Sequence, residues 1–574
     1  MSRRATLGTG FCAALAATVP AAAEPPSLPG SGLVAAPTGA TEAFVGPGGG
    51  SDDAAPASPV RLGSGFGGGL GFPFGLGAPP QGVPGRGWNL VPSLGLTLTA
   101  TDNALQTSRN RQADLITTIS PSLFATIDTA RLQGTLNYAP LAQIYAATPG
   151  QDRLDHRFNG QILATLLPQT LFLDLRGAAG LQSITGGFAP EGTAVVDRRN
   201  QIQTTSLQIS PYVVHRFGSL AAAQVGYGFQ YVNQSSSQGA NTAFVQQGDG
   251  QQGNGQPLFR QPFFASQNFT AHEGYGVLRS GEDFGRLALE GRVTSTSYIG
   301  TGVLDGAHRY SSTVEARYAL TRTFAALVEG GYEDQRYGGL PPTRIQEPVW
   351  AVGGRFTPSP ESVVIAKYGH RDGFNSFHLD AAVSLGGRTR LYANYSERLT
   401  TSARRAADLL STTTLDELGN PVDAQTGAPA ALPFSNSFLA VQSSLQRVRS
   451  ATASISQTWP RDVITLSLYH SEQSPVAVAP GTVAFEQKGT SGSFAWSHEL
   501  AERTVGSAYV QYGLTESSRF GSGTVFTTSA TLTHQLSAGL VGTLQYVLTN
   551  RDNSGLASGR TVQNLVVVGL RQTF

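Results

Sequence analysis

From Trp88 to Phe574 the chain runs in segments of about 10–15 residues in which large apolar side chains alternate with small or polar ones, the period of extended backbone with two unlike faces. Leu287, Leu289, Gly291 and Val293 alternate with Arg286, Ala288, Glu290 and Arg292. Tyr310, Val314, Ala316 and Tyr318 alternate with Arg309, Thr313, Glu315 and Arg317, and Leu540, Leu544, Tyr546 and Leu548 with Thr543, Gln545, Thr549 and Arg551. One face of each segment suits lipid and the other does not. Helical spacing fits none of them well.

The connections take turns in length. Short ones fall at Asp128-Thr129-Ala130, Pro168-Gln169-Thr170, Phe217-Gly218-Ser219, Ser359-Pro360, Pro460-Arg461 and Ser537-Ala538-Gly539. Between them lie long polar stretches such as Ser183 to Gln201, Asn233 to Ser266 and Thr401 to Ser443. A soluble sandwich has no reason to sort loop lengths by parity, whereas a membrane barrel pairs short periplasmic turns with long outer loops. About 22 segments can be counted, a size within that class, with starts near Trp88, Asp114, His156, Leu171, Phe284, Pro348, Phe485 and Thr561 among others. In hydrocarbon an unpaired N–H or C=O costs several kcal/mol, so the first strand has to pair with the last. The predicted fold is all-β: a transmembrane antiparallel up-and-down β-barrel over residues 88–574, placed in the outer membrane. An even strand count leaves the N- and C-termini in the periplasm. Aromatic residues near segment ends, among them Trp88, Tyr145, Trp350, Tyr392, Trp459, Tyr469 and Trp496, are expected at the two membrane interfaces.

The start of the chain reads differently. Arg3 and Arg4, the apolar stretch from Phe11 to Val19 and Ala21-Ala22-Ala23 predict a secretory signal peptide over residues 1–23, cut before Glu24. Residues 24–87 are dominated by Gly, Pro, Ala and Ser, with too few large apolar groups to offset the entropy of ordering, which predicts a disordered periplasmic segment. The single cysteine, Cys12, falls inside the signal, so the mature chain is expected to carry no thiol for disulfides or metal.

Composition agrees. Charged residues are 13% of the 574, about half the ~25% usual for a soluble domain. No run of 18 or more apolar residues follows the signal, so no transmembrane helix is available. With 39 basic against 38 acidic residues there is no case for a nucleic-acid partner. The last segment ends in Phe574 with Leu570, Val568 and Val566 on the same face, which resembles the signal read by the outer-membrane barrel-assembly machinery; Gln572 departs from that pattern.

A family resemblance rests on Ser93-Leu94-Gly95-Leu96-Thr97, Thr101-Asp102-Asn103 and Asp114-Leu115-Ile116-Thr117-Thr118-Ile119-Ser120-Pro121, followed by Asp155-His156-Arg157-Phe158 and Leu171-Phe172-Leu173-Asp174-Leu175-Arg176. The stretch from Ser93 to Gln182 resembles the opening strands of the β-barrel porin 2 type family, outer-membrane proteins associated with exopolysaccharide and exosortase (PEP-CTERM) gene clusters. The resemblance implies an outer-membrane barrel with a part in surface polysaccharide export, and brings no catalytic residues with it.

Motifs for chemistry are absent: no H-E-x-x-H, no G-x-x-x-x-G-K-[ST], no G-x-S-x-G and no Cys/His cluster. The nine histidines are scattered, and Asp52-Asp53 falls short of a calcium loop. No enzyme, cofactor or metal site is expected. The functional candidates are charges whose parity turns them to the lumen: Arg286, Glu290, Arg292, Arg309, Glu315, Arg317, Glu329, Glu333, Lys367 and Arg390. They can form a mixed-charge network that satisfies itself, or a polar track for a passing saccharide. A lumen of mixed sign is hydrated and only weakly ion-selective.

A barrel of about 22 strands is normally plugged, yet residues 24–87 are too short and too rich in Gly and Pro for a folded plug. Long inward-folding loops, notably Asn233 to Ser266 and Thr401 to Ser443, or the N-terminal segment itself, are expected to narrow the pore. The function expected is a pore assisting passage or export of exopolysaccharide or another saccharide. Its expected partners are outer-membrane lipid, the barrel-assembly machinery, polysaccharide and its export proteins. The alternative is a non-conducting structural or adhesive anchor whose outer loops bind.

Overall fold

The computed structural model describes residues 87–184, 195, 197–236, 264–405, 413–415, 421–423, 439–553 and 559–574. The expected signal peptide, Cys12 and all of the Gly/Pro-rich segment except its last residue, Gly87, lie outside these residues.

The chain forms a closed antiparallel barrel of 22 strands. The first seven are β1 (Gly87–Thr101), β2 (Asp114–Asp128), β3 (Leu132–Tyr138 continued by Leu141–Tyr145), β4 (Arg153–Asp155 continued by Phe158–Leu167), β5 (Leu171–Ser183), β6 (Gln201–Phe217) and β7 (Ala221–Ser236). Next come β8 (Gln267–Ser280), β9 (Leu287–Gly300), β10 (His308–Ala319), β11 (Phe324–Tyr337), β12 (Thr343–Ser359), β13 (Ser362–Arg371), β14 (Phe374–Leu385) and β15 (Thr389–Thr401). The last are β16 (Ser444–Thr458), β17 (Asp462–Val478), β18 (Gln487–Ala501), β19 (Thr504–Ser517), β20 (Gly521–Gln535), β21 (Leu540–Asn553) and β22 (Gly559–Thr573). Each strand pairs with its neighbours in sequence, and β1 closes the ring on β22, from Ser93 opposite Thr573 to Thr101 opposite Leu565. No helix among the described residues is long and apolar enough to cross a membrane; the strands make the crossing.

Burial runs opposite to that of a soluble protein. On β1, Leu90, Leu94, Leu96 and Leu98 are exposed while Ser93, Thr97, Thr99 and Thr101 are buried. The same inversion recurs around the ring, because the outer face is built for lipid and the inner face for polar groups. Trp88, Trp350, Trp459 and Trp496 lie on the exposed face. Three aromatics expected there turn inward instead. Tyr145 and Tyr392 are buried, and Tyr469 sits in register with the inner Thr452 and Ser491. Tyr392 shares parity with the inner Arg390 and Tyr469 with the inner Ser467, so period-two counting itself turns both away from lipid.

β9 opens at Leu287, because Glu282–Phe284 form a 3₁₀ turn. β3 breaks at Pro140, which has no N–H for the ladder. The rim that carries the short turns also carries the chain's entry at Gly87 and its end at Phe574. On the other rim two connections are short, residues 518–520 and Asp372-Gly373. Asp372 and Gly373 have φ of 57° and 80°, the left-handed pair a two-residue hairpin turn requires.

Candidate functional site

The inner face of β8 to β15 is a charged sector, and its rows follow from register. Glu290, Glu315 and Glu329 stand opposite one another on β9, β10 and β11. Like charges in that position repel, so each carboxylate has a cation. Arg279 and Arg292 reach Glu290 at 2.7 and 2.9 Å. Arg371 reaches Glu329 at 2.5 Å and Lys367 lies 3.7 Å from it, while Lys367 also pairs with Glu315.

A second row lies nearer the long-loop rim. The hairpin tip Asp372 accepts from Arg309 at 2.9 Å, from Gln335 Nε2 at 2.7 Å and from the Leu399 N–H at 3.1 Å. Gln335 Nε2 also donates to Glu333 at 2.9 Å, Tyr337 Oη donates to Gln335 Oε1 at 2.9 Å, and Arg404 donates to Tyr337 Oη at 3.0 Å. The β13–β14 hairpin is short, and its buried tip ties β10, β11 and β15 together. Buried ions are stable only when paired in this way.

Of the charges expected in the lumen, Glu290, Arg292, Arg309, Glu315, Arg317, Glu329, Glu333, Lys367 and Arg390 occupy inner positions of their strands. The structure joins Glu290 with Arg292, and Lys367 with Glu315 and Glu329. Arg317 and Arg390 lie on the short-turn side of these rows. Arg286 does not belong with them: it is exposed in the turn before β9. Sequence reasoning missed Arg279 and Arg371, whose parity and charge match the chosen set, Asp372, a turn residue that strand parity does not reach, and Arg404, which lies just past the end of β15.

The inner face of β16 to β20 is different. Ser450 faces Ser471, Ser454 faces Ser467, Ser467 faces Ser493 and Gln511 faces Thr527. Among the described inner positions of these five strands, Glu499 at the short-turn rim is the only charged residue. Such a wall offers hydroxyl and amide groups that donate and accept, with no counterion to displace. The lumen thus has a charged side and a neutral hydrogen-bonding side.

At the long-loop rim, connections from distant parts of the ring are bridged to one another. The Val441 N–H, just before β16, donates to the carbonyl of Ile184, just after β5, at 2.8 Å. Ser443 and Ala265 exchange two hydrogen bonds of 2.9 Å, and Gln487 Nε2 donates to the Ala440 carbonyl at 2.7 Å. Around these bonds Ile184, Ile202, Phe264, Ala440, Val441 and Phe485 form a buried apolar cluster. Its members come from connections nearly half a ring apart. A second cluster joins Val232, Tyr298, Leu304, Tyr337, Leu399 and Ala477. The described feet of the two long loops expected to fold inward, residues 264–266 and 439–443, belong to this bridge; within the second loop Thr413–Leu415 also pairs with Pro421–Asp423 as a small antiparallel ladder.

Among the described residues no group of three or more His, Cys, Asp or Glu could hold a metal ion. No family model matches the sequence, and no curated protein matches it. Among solved structures, the chain is similar to the FpvAI–pyocin S2 complex at 11% identity, covering 86% of this chain and 71% of that one, with a TM-score of 0.45. It is similar to the FrpB iron transporter of Neisseria meningitidis (F5-1 variant) at 9%, covering 85% and 83%, with a TM-score of 0.44. It is also similar to the closed form of the ferric-catecholate import receptor Fiu of E. coli K12 at 11%, covering 84% and 81%, with a TM-score of 0.46.

Proposed function

We propose that the chain is a non-enzymatic outer-membrane channel for hydrophilic solutes, and that saccharide is the class it passes. The observation that carries the channel reading is the opposition of faces around a closed ring: apolar side chains stand outside at positions such as Leu468 and Leu544, and polar ones inside at Ser467 and Gln545. A wall built that way holds water within and lipid without. The saccharide reading is supported by the hydroxyl and amide sector, which can exchange hydrogen bonds with sugar hydroxyls without binding ions. A role in exopolysaccharide export follows from the resemblance of Ser93 to Gln182, and the expected assembly and export partners belong to that proposal.

The bridged mouth favours a second reading, a filled barrel that anchors binding loops. Planar-bilayer recording separates the two. The refolded chain is expected to conduct weakly, and removal of residues 401–443 to raise conductance, with neutral oligosaccharide blocking the current. A silent bilayer in both cases leaves the anchor.

A further inference from the structure

Glu397 on β15 stands opposite Arg449 on β16, Arg449 opposite Glu472 on β17, Glu472 opposite Lys488 on β18, and Lys488 opposite Glu516 on β19. Sign alternates along one row across five adjacent strands. Period-two counting puts Glu472 on the face of Leu466 and Leu468, Lys488 on that of Phe494 and Trp496, and Glu516 on that of Tyr512 and Leu514, all of them exposed apolar residues. The row therefore faces outward, and it lies at the long-loop end of the apolar band. Arg449 is 2.7 Å from Glu397 and 3.1 Å from Glu472, and Lys488 is 2.8 Å from Glu516. Arg447 adds a second cation on Glu397.

Two magnitudes limit what this row can be for. Exposed ion pairs contribute only ~0–1 kcal/mol each, and the side chains of Lys488 and Glu516 are 52% and 62% exposed, so stability is a weak reason for that part of the row; Glu397, buried under Arg447 and Arg449, is its anchored end. A charge on the lipid face costs ~2–4 kcal/mol at mid-bilayer and little near the interface, so the row belongs at headgroup level. We propose that it binds the phosphorylated glycolipid headgroups of the outer leaflet. That layer is itself two-signed, with phosphates bridged by divalent cations. Arg449 and Lys488 can stand in for the cation against a phosphate, and Glu472 and Glu516 can stand in for a phosphate against the cation. Arg447, Arg449 and Lys488 balance Glu397, Glu472 and Glu516, which suits a layer of both signs better than a simple anion. The inference rests on the outer-membrane placement and is independent of what crosses the lumen.

The test uses the full refolded chain in phosphatidylcholine vesicles doped with diphosphorylated lipid A and Mg²⁺, beside vesicles doped with the dephosphorylated glycolipid. Glycolipid retained per barrel after detergent extraction is read by native mass spectrometry. The phosphorylated form should be retained in preference, with chelation of Mg²⁺ lowering retention. Each lost cation in Arg449→Gln and Lys488→Gln should weaken binding about tenfold, the worth of one charge-assisted hydrogen bond. Glu472→Gln with Glu516→Gln should remove the Mg²⁺ dependence. Equal retention of the two glycolipids by the unaltered chain overturns the proposal even if the variants fail to fold. Retention unchanged in the arginine and lysine variants also overturns it, as does a barrel dimer that those variants dissociate.

Discussion

Lys367 stands directly opposite Gly353 in the register of β12 and β13, and its side chain crosses that glycine to reach Glu329 on β11 and Glu315 on β10. A Cβ on Gly353 would lie 2.2 Å from the Ala366 carbonyl oxygen, 2.8 Å from Lys367 Cα and 2.9 Å from its Cγ. Gly353→Val therefore has to push β13 away and displace the cation that bridges Glu315 and Glu329. The variant should lose ~3–5 kcal/mol, the cost of breaking a buried pair, read as a lower urea midpoint for the barrel in vesicles. Gly354→Ala, one residue on and facing outward, meets the ring of Phe324 at 3.0 Å and should change stability by less than ~1 kcal/mol. Equal losses in the two variants would refute the bridging role.

The same bridge predicts coupling. Lys367→Met leaves Glu315 and part of Glu329 without their cation and should cost ~3–5 kcal/mol. Adding Glu315→Gln removes the orphaned charge, so the double variant should regain ~1–3 kcal/mol relative to additivity. Strict additivity in that cycle would mean the two residues do not depend on each other.

Face assignment can be tested at two neighbours on β17. Leu468 is 64% exposed within the outer apolar band, whereas Ser467 faces inward between Ser454 and Ser493. Leu468→Lys should cost ~2–4 kcal/mol for a charge placed in lipid. Ser467→Lys, whose amine reaches water in the lumen, should stay within ~1 kcal/mol. Reversal of that order would invert the barrel.

The faces were legible in the sequence because lipid imposes one rule on every strand between the interfaces. β1, β2 and β5 begin at Gly87, Asp114 and Leu171, within a residue of where alternation placed them. The rule lapses beyond the membrane, where both faces of a strand meet water. β12 begins at Thr343 and not near Pro348 because Arg344, Gln346 and Glu347 carry no alternating signal. Parity likewise found Lys367 and Glu329 as lumen residues but could not pair them, since their contact depends on a glycine on the strand between. The bridge across the mouth was the least legible part. Ile184, Phe264, Val441 and Phe485 lie in connections, and a cluster assembled from across a ring has no period in the chain.

The C-terminal strand separates assembly from stability. Val566, Val568 and Leu570 face outward, and Phe574 is 74% exposed while its N–H donates to the Pro92 carbonyl at 3.0 Å. Deleting Phe574 removes that single bond and little packing, so the refolded barrel should lose no more than ~0.5–1.5 kcal/mol. If the residue serves as an assembly signal, the amount of barrel reaching the outer membrane of cells should fall several-fold all the same. Parallel losses in both measurements would reduce Phe574 to an ordinary strand end.

The mouth offers a direct test of whether the bridge across it is the barrier to flow. Val441 is 1% exposed within its apolar cluster, and an ionised carboxylate buried there without a partner costs several kcal/mol. Val441→Asp should therefore part the foot of the long β15–β16 connection from Ile184, and single-channel conductance should rise several-fold. The opposite change is available because the chain's one cysteine is Cys12, within the stretch read as a signal peptide. In Ile184→Cys with Val441→Cys, the backbone hydrogen bond of 2.8 Å between these residues brings the two connections together at the positions where a disulfide would tie them. Oxidation should hold conductance at or below that of the unaltered chain, and reduction should restore it. If Val441→Asp keeps its heat-modifiable gel mobility, and so its barrel, while conductance stays the same, the barrier lies deeper, among the charged rows around Lys367 and Asp372.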